Sequence, residues 1–407
     1  MKKIKDFKKI LCFIALAAVF VISVMFISSC TKSTDETGSE TDLSASSESG
    51  LSHSGEETSE NTTGALDLRD YLQSPKYYSY LTGLRVSKAN QQKRPVSIII
   101  NNIKHAMPTV GVARADIIYE CMTEGAITRL MMVLTDYEDG PVYGSIRSSR
   151  EYFIDLSRSH DTIYIHAGGN NQDYDEFDAR DIERMDGVNR VTIYGKERYF
   201  SDDFFYRDME RRNTMALEHT MMTSGDRIVA ALRKNDDYRT KLKDDFVPPF
   251  NFNREFTDMG GEDNTANYIH VPYSRVFSAE FIYNPEDNLY YRKQFGVAHI
   301  DGETGEQLRF QNVIIMFAEY TPFTGTAQAK AEGHYKCELT GTGVGFYISG
   351  GKYKPIIWEK ETRDGSLHFY NSDESDLYLN PGKSFICVTQ TTYVNGIKIN
   401  SDIFDIG

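Results

Sequence analysis

The sequence has few cysteines, and none stands in a spacing that binds metal or builds a disulfide framework. Of the five, Cys12 and Cys30 lie near the N-terminus, which leaves Cys121, Cys337 and Cys387. An odd number without a Cys-x-x-Cys pair indicates neither a zinc site nor a disulfide scaffold. We expect buried free thiols, with a Cys337–Cys387 bridge as the alternative.

The chain also lacks a motif that names a reaction. His166 and His219 do not have the His-Glu-x-x-His spacing of a zinc hydrolase. We therefore predict no metal and no cofactor, and enzymatic activity stays open, with a non-catalytic role favoured.

Positive charge is scarce outside the N-terminus. The formal charge is −14, and the first 29 residues hold five lysines and one aspartate, so removing their +4 leaves −18. Nucleic-acid binding needs a basic face, so nucleic acid is not expected as a partner. The same balance argues against a basic, headgroup-binding surface on the body of the protein.

The N-terminus has the pattern of a lipoprotein signal. A basic segment is followed by the apolar run from Ile10 to Ile27 and then by Ser28-Ser29-Cys30. Residues 1–30 are predicted to be a signal peptide with Cys30 as the lipidated residue. An uncleaved membrane helix is the alternative, because the run is long enough to span. Both place the body outside the cell membrane, on its extracytoplasmic face.

Residues 31–85 are predicted to be a tether. Thr31 to Gly64 is rich in Ser, Thr, Glu, Asp and Gly and nearly free of aliphatic side chains. Such a segment cannot bury enough apolar surface to offset the entropy of ordering, so we expect disorder.

Two folded domains are predicted after the tether, in an α+β or α/β arrangement. Residues 86–245 alternate apolar runs with helical patterns, which indicates a mixed α/β domain. Residues 265–400 contain short aromatic and β-branched runs between turn signals, which indicates a β-rich antiparallel domain. Alternation at Val313, Ile315 and Phe317 predicts one covered face.

Amides, arginines and glycines follow the predicted strands of the first domain. Open α/β sites gather at the carboxyl ends of strands, and backbone N–H groups at a helix start bind anions. A helix is expected from about Ser149 to Ser159, with Ser148 and Ser149 as N-caps. An internal ion-pair network with Glu120, Glu124 or Asp155 is the alternative to an external anion. The predicted ligand-binding residues are Asn101, Asn102, Arg147, Ser148, Arg150, His166, Gly168, Gly169 and His219.

Glu120, Glu124 and His166 are the candidate catalytic residues. Ala113 to Thr123 fits either a helix or a strand. On a helix the two glutamates would lie one turn apart, within reach of the carboxyl spacing that glycoside hydrolysis needs, whereas a strand would separate them by roughly 13 Å. Solvated or arginine-paired glutamates are the alternative, and a hydrogen-bonded structural histidine is the alternative for His166.

A set of short motifs resembles the YerB-like lipoproteins of Gram-positive bacteria. Ala126 stands where that family usually has a glycine, which suggests that backbone freedom is not required there. Ser145-Ile146-Arg147 replaces the usual Pro-Val-Arg. The motifs are Arg94-Pro95 with Asn101-Asn102, Ala115 to Glu120, Glu124 to Arg129, Gly144 with Arg147 to Phe153, and Ile163 to Gly169.

The resemblance implies a membrane-tethered envelope lipoprotein with two domains of unknown function, and no established activity. We expect a non-catalytic binding module of the cell envelope with an anionic-ligand or glycan pocket in its first domain. Expected partners are the membrane, through the lipid anchor, and cell-wall glycan or an envelope protein. The alternative is a peptidoglycan hydrolase or lyase that uses Glu120 or Glu124 and His166 as acid and base.

Overall fold

The computed structural model describes residues 76–169, 204–234, 238–261, 264–324 and 333–400, together with four short strand segments. The predicted signal peptide, Cys30 and most of the tether lie outside these residues. The described residues belong to one compact unit, Thr62–Gly407. Within the described ranges no helix is long and apolar enough to cross a membrane.

The described helices are short. The α-helices are α1 (Lys88–Gln92), α2 (Glu151–Ser159), α3 (Met209–Arg212) and α4 (Gly225–Lys234), and 3₁₀ turns lie at Lys104–Ala106, Val112–Arg114, Glu124–Ala126, Leu217–His219 and Thr391–Gly396.

Strands make up most of the regular structure. They are β1 (Val96–Asn101), β2 (Ile117–Met122), β3 (Thr128–Leu134), β4 (Val142–Gly144), β5 (Ile163–His166), β6 (Arg184–Asp186), β7 (Val191–Ile193), β8 (Lys196–Arg198), β9 (Tyr206–Arg207), β10 (Met221–Ser224), β11 (Asn251–Phe252), β12 (Tyr268–Pro272), β13 (Ser278–Asn284), β14 (Leu289–Gln294), β15 (Val297–Ala298), β16 (Arg309–Phe310), β17 (Asn312–Pro322), β18 (Tyr335–Glu338), β19 (Gly341–Ser349), β20 (Lys352–Lys360), β21 (His368–Asn371), β22 (Tyr378–Leu379), β23 (Ser384–Gln390), β24 (Lys398–Ile399) and β25 (Asp402–Ile403).

One mixed sheet runs through both predicted domains. Its strand order is β21-β20-β19-β17-β23-β2-β3-β1-β5-β6-β7-β8, with β18 paired to β17. Strand β2 of the first region pairs in parallel with β23 of the second. Strands β17 and β23 are also parallel, which corrects the expectation of a purely antiparallel second region. The fold is therefore predominantly β.

The central strands are covered on both faces. Every residue of β1, β2 and β3 is buried, and β17 is buried from Asn312 to Ala318. Central strands of this kind have continuous apolar runs rather than alternation. The prediction of one covered face for Val313, Ile315 and Phe317 was wrong, because β17 is an inner strand.

A second sheet, ordered β15-β14-β13-β12-β24-β25 with β16 on β14, packs against the first. Phe281 and Phe310 each place their ring centroids 5.1 Å from that of Phe385 on β23. Residues 267–281 look like one strand in the sequence, but they form the hairpin β12–β13, turned at Tyr273 to Phe277.

Two local predictions around the first domain were wrong. The predicted helix is present as α2, but it begins after Arg150, and neither Ser148 nor Ser149 caps it with a side chain. Ala126 has φ +60°, a left-handed conformation that disfavours residues with a Cβ. The glycine that the family usually places there would therefore relieve strain, so backbone freedom does matter at this position.

The prediction of free thiols was confirmed. Cys121, Cys337 and Cys387 are all buried and none forms a disulfide. Burial raises the pKa of each thiol, so these cysteines remain protonated packing residues at neutral pH.

Candidate functional site

The segment 145–149 lies across the carboxyl ends of two parallel strands, β1 and β5. The N–H of Arg147 donates to the carbonyl of Ile99 at 2.9 Å, and the carbonyl of Arg147 accepts from the N–H of Ala167 at 2.9 Å. Strands β1 and β5 are direct neighbours in the sheet. These backbone contacts bring the predicted amide, arginine, histidine and glycine residues to one edge of the main sheet.

Two arginines hold Glu124 at this edge. Arg150 approaches the Glu124 carboxylate at 2.6 Å through Nη2, and Arg129 binds the other carboxylate oxygen. Arg129 is buried and also donates to the carbonyl of Ser148 at 3.1 Å. Arg150 reaches Nε2 of His334 at 3.5 Å. The internal ion-pair alternative for Arg150 and Glu124 is thus confirmed.

The electrostatics of this group are set by two guanidinium charges on one carboxylate. Burial by itself would raise the pKa of Glu124, but the charges of Arg129 and Arg150 outweigh it and lower the pKa to about 2. Burial and the charge of Arg150 lower the pKa of Arg129 to about 10. Glu124 is therefore ionised at neutral pH and has no proton to donate.

The lowered pKa of Glu124 makes its contribution to stability depend on pH. A group whose pKa falls on folding stabilises the fold above its unfolded value and loses that effect as pH falls through the folded value. We expect Glu124→Gln to be clearly less stable than wild type at pH 7. The gap should close between about pH 4.5 and about pH 2, as measured by urea unfolding across pH.

Glu319→Gln is the matched control, because Glu319 is exposed on β17 and the substitution changes the charge equally. Its stability profile should run parallel to that of wild type. A Glu124→Gln profile that also stays parallel to wild type down to pH 2 would contradict the assigned ion pairs.

Arg147 lies beside this ion-pair group but donates to backbone instead. Its Nη1 reaches the carbonyl of Glu218 at 3.3 Å. Burial lowers the pKa of Arg147, and the carboxylates of Glu218 and Glu124 oppose that effect while Arg150 adds to it. Arg147 is half-buried, so its guanidinium edge is reachable from solvent.

His219 is held by the first of the two predicted amides. Nδ2 of Asn101 donates to Nδ1 of His219 at 2.9 Å. Burial, followed by the charge of Arg147, lowers the pKa of His219. The ring is therefore neutral at pH 7 and carries its proton on Nε2, which can donate to an acceptor.

His166 has a backbone partner. Its Nδ1 donates to the carbonyl of Gly168 at 2.9 Å, and its ring lies 5.2 Å from that of Tyr164. Gly168 has φ +80°, which favours glycine. His166 is fully buried, and Gly169 is half-buried. These contacts favour the structural alternative for His166.

Glu120 belongs to a different group. Asn102, on the opposite side of the chain from Asn101, donates to Oε1 of Glu120 at 2.8 Å, as Thr128 does at 2.7 Å. Oε2 accepts from Nη2 of Arg292 at 2.8 Å. Side chains of consecutive residues in extended chain point to opposite faces, so the two adjacent amides cannot share one pocket.

The Glu120 group continues into the second region. Nη1 of Arg292 donates to Nδ1 of His299, and Nε2 of His299 lies 2.8 Å from the hydroxyl of Thr109. Burial and the charge of Arg292 lower the pKa of His299 well below its usual range, so it stays neutral. Glu120 and Arg292 are both fully buried.

The sequence reasoning missed Arg129, Arg292 and His299. Arg129 stands five residues after Glu124, and this spacing places both residues at the same end of β3. The sequence therefore contains a signal for their ion pair. Arg292 and His299 have no local signal for this network, because Glu120 and Thr109, which they bind in the first region, are far away in the sequence.

A cavity of about 310 Å³ lies elsewhere in the molecule. None of the predicted ligand-binding or catalytic residues lines it; its lining residues are Leu84, Ala113, Leu289, Glu306, Gln307, Leu308, Arg309, Phe310, Gln311, Pro381, Gly382 and Lys383.

Comparisons with known proteins match two stretches of the chain. Residues 81–239 match the N-terminal domain, and residues 269–386 the C-terminal domain, of the family described as "Protein of unknown function (DUF3048)". A Bacillus subtilis (strain 168) protein named "Putative lipoprotein YerB" is 28% identical over 250 residues, which cover 59% of this chain and 67% of that protein.

The fold is similar to a solved structure. The crystal structure of the YerB protein from Bacillus subtilis superimposes with a TM-score of 0.64 at 26% identity, covering 77% of this chain and 97% of that one. Both family domains, in the expected order, and this shared fold lead to one conclusion. The chain belongs to the YerB-like family and carries both the N-terminal and the C-terminal DUF3048 domain.

Proposed function

We propose that this protein is an extracytoplasmic lipoprotein, anchored through Cys30, that acts as a non-catalytic binding module of the cell envelope. Its ligand carries an anionic group, a carboxylate or a phosphate, which binds at the edge formed by segment 145–149. Arg147 makes the main contact, and Nε2 of His219 donates a second hydrogen bond.

One observation carries this proposal. Arg129, Arg147 and Arg150 lie close enough to influence one another electrostatically, and Glu124 is the carboxylate that two of them bind. Arg147 donates to the carbonyl oxygen of Glu218, and the carboxylates of Glu218 and Glu124 act on it electrostatically, so three guanidinium groups share two nearby carboxylates. In a protein of net charge −14 such a local excess of guanidinium attracts anions.

The contacts of the candidate acids support a non-catalytic role over the hydrolase or lyase alternative. Both carboxylate oxygens of Glu120 are occupied within the fully buried network. The lowered pKa of Glu124 keeps it from acting as a general acid at neutral pH. A general acid must hold a proton at the working pH and reach the substrate.

The test is co-sedimentation of the compact unit, residues 62–407, with purified cell-wall sacculi. We expect retention of the wild type, and at least a tenfold weaker retention of Arg147→Gln. Arg147→Lys should recover part of the binding, because it keeps the charge but loses the planar fork. Unchanged urea midpoints would show that both variants fold.

Arg275→Gln is the matched control, since Arg275 is exposed in the turn between β12 and β13 of the second sheet. It should bind like wild type. If Arg147→Gln and Arg275→Gln lost retention on sacculi equally, the interaction would depend only on overall charge, which would overturn the proposed site. Release of soluble fragments from the sacculi by wild type would favour the hydrolase or lyase alternative.

A further inference from the structure

The second sheet carries a row of side chains on the face that points away from the main sheet. In β12, β13 and β14 buried residues alternate with half-buried or exposed ones, as expected of a sheet covered on one face. Tyr268 on β12 stands opposite Ile282 on β13, and Ile282 stands opposite Tyr291 on β14. Arg309 on β16 is the next residue across from Tyr291. We call Tyr268, Ile282 and Tyr291 the aromatic row.

The register of the strands brings the members of the aromatic row side by side. Residues directly opposite one another on neighbouring strands have Cβ atoms roughly 5 Å apart and share a face of the sheet. Ile282 is 45% exposed, and Tyr268 and Tyr291 are half-buried. A contiguous apolar surface with polar groups at its margin is typical of a ligand-binding surface, and tyrosine combines an apolar ring with a polar hydroxyl.

The cations beside Tyr291 are paired with carboxylates. Lys293, two residues further along β14, lies 3.6 Å from Glu280. Arg309 lies 3.3 Å from Glu306. These ion pairs leave no local excess of positive charge beside Tyr291, unlike the edge formed by segment 145–149. The aromatic row therefore suits an uncharged ligand.

The separation of the two tyrosines indicates the kind of polymer that fits. One strand lies between them, and neighbouring strands are about 4.8 Å apart, so their backbones are about 10 Å apart. Residues on one face of an extended peptide repeat about every 7 Å, which does not match this separation. An extended β-1,4-linked glycan repeats after one disaccharide, whose length is close to the separation of Tyr268 and Tyr291.

The chemistry of such a glycan also matches the aromatic row. A pyranose ring with equatorial substituents has C–H groups on its faces and hydroxyl groups at its edge, so a face packs on an aromatic ring while the edge stays hydrogen-bonded. Alternate rings of the chain present the same face. The first and third rings would pack on Tyr268 and Tyr291, with the middle ring over Ile282. The Tyr291 hydroxyl donates to Asp287 at 2.6 Å, which fixes this side chain before binding and lowers the entropic cost.

We propose that the aromatic row is a binding site for an extended, uncharged β-1,4-linked glycan chain. The site lies on the second sheet and does not use the guanidinium groups at segment 145–149. It therefore adds a second contact to the binding module proposed above, and it neither needs the anion site nor supports it.

The experiment is calorimetric titration of residues 62–407 with a hexamer of β-1,4-linked N-acetylglucosamine. Wild type should bind, and Tyr268→Ala/Tyr291→Ala should bind at least tenfold more weakly because both packing contacts are lost. The corresponding disaccharide reaches only one tyrosine, so it should bind wild type at least fivefold more weakly than the hexamer. A hexamer of α-1,4-linked glucose, whose chain curves, should not bind.

Tyr370→Ala is the matched control, because Tyr370 is also a half-buried tyrosine but lies on β21 of the main sheet. It should bind the hexamer like wild type. Equal weakening in Tyr370→Ala and in the double variant would overturn the proposal. Equal affinity for the disaccharide and the hexamer, or no binding of the hexamer by wild type, would overturn it as well.

Nuclear magnetic resonance of wild type gives a readout that does not depend on the folding of a variant. Sugar C–H protons packed on tyrosine rings should shift upfield on binding, and unshifted sugar protons would contradict the packing contact. Arg147→Gln should bind the uncharged hexamer like wild type, and loss of binding in this variant would assign the sugar to segment 145–149 instead. Failure with the hexamer would leave the sacculus test of Arg147 standing, so the two proposals fail separately.

Discussion

Replacing Arg292 by methionine should lower the free energy of unfolding by about 3 to 5 kcal/mol, the usual cost of stranding a buried charge. Arg292 is the counter-charge for Oε2 of Glu120 at 2.8 Å, and both side chains are fully buried. Its guanidinium also lies 5.1 Å from the ring centroid of Phe385. Removing it leaves the fully buried Glu120 carboxyl without its counter-charge. Urea unfolding followed by circular dichroism measures the loss.

Two further variants make this prediction specific. Glu120→Gln/Arg292→Met should recover part of the loss, because the neutral amide needs no counter-charge and still accepts from Asn102. Lys293→Met removes the neighbouring, partly exposed ion pair with Glu280 and should change stability by no more than about 0.5 kcal/mol. A cost below about 1 kcal/mol for Arg292→Met would show that the buried pair is not formed.

Replacing Asp301 by alanine should cost on the order of 4 kcal/mol, since several backbone N–H groups lose a charged acceptor together. The buried carboxylate accepts from Gly111 at 3.2 Å and from Ala113 at 2.8 Å in the first region. It also accepts from Glu303 at 2.8 Å and Thr304 at 3.0 Å in its own loop. Asp301 thus links a loop of the second region to the first region by hydrogen bonds.

The stability of Asp301→Asn should lie between those of wild type and Asp301→Ala. One side-chain oxygen remains as an acceptor, but the amide N–H₂ faces the N–H of Ala113. The matched control is Asp258→Ala. Asp258 accepts from Gly260 N–H in a similar turn but is exposed, so its removal should leave the urea midpoint unchanged. Equal midpoints for Asp301→Ala and wild type would contradict a stabilising role for the inter-region contact.

Local patterns predicted many of the elements. The apolar and β-branched runs at residues 96–100, 129–135 and 289–294 predict strands, and these runs lie within one residue of β1, β3 and β14. Helix α4 begins at Gly225, as the serine before it indicated, and Ser224 accepts from Arg227 N–H at 3.4 Å. These elements could be predicted from the sequence because apolar periodicity and capping depend on neighbours along the chain.

The candidate site was predictable in part. Asn101, Arg147, His166, Gly168 and His219 do meet at one sheet edge, because β1 and β5 are parallel neighbours whose carboxyl ends coincide. Asn102 and Glu120 do not join them. The alternation of side chains along extended chain turns Asn102 toward Glu120, and the choice between helix and strand for residues 113–123 could not be made from a short apolar run.

The sequence alone determined the acidic balance, the strand-rich character, the family motifs and the absence of any disulfide framework, because each depends on composition or on neighbouring residues. Only the tertiary structure decided that β2 and β23 join both regions in one sheet, and that Glu120 is neutralised by Arg292, 172 residues away. Pairings between distant residues are selected by the packing of whole sheets, and no local pattern records them.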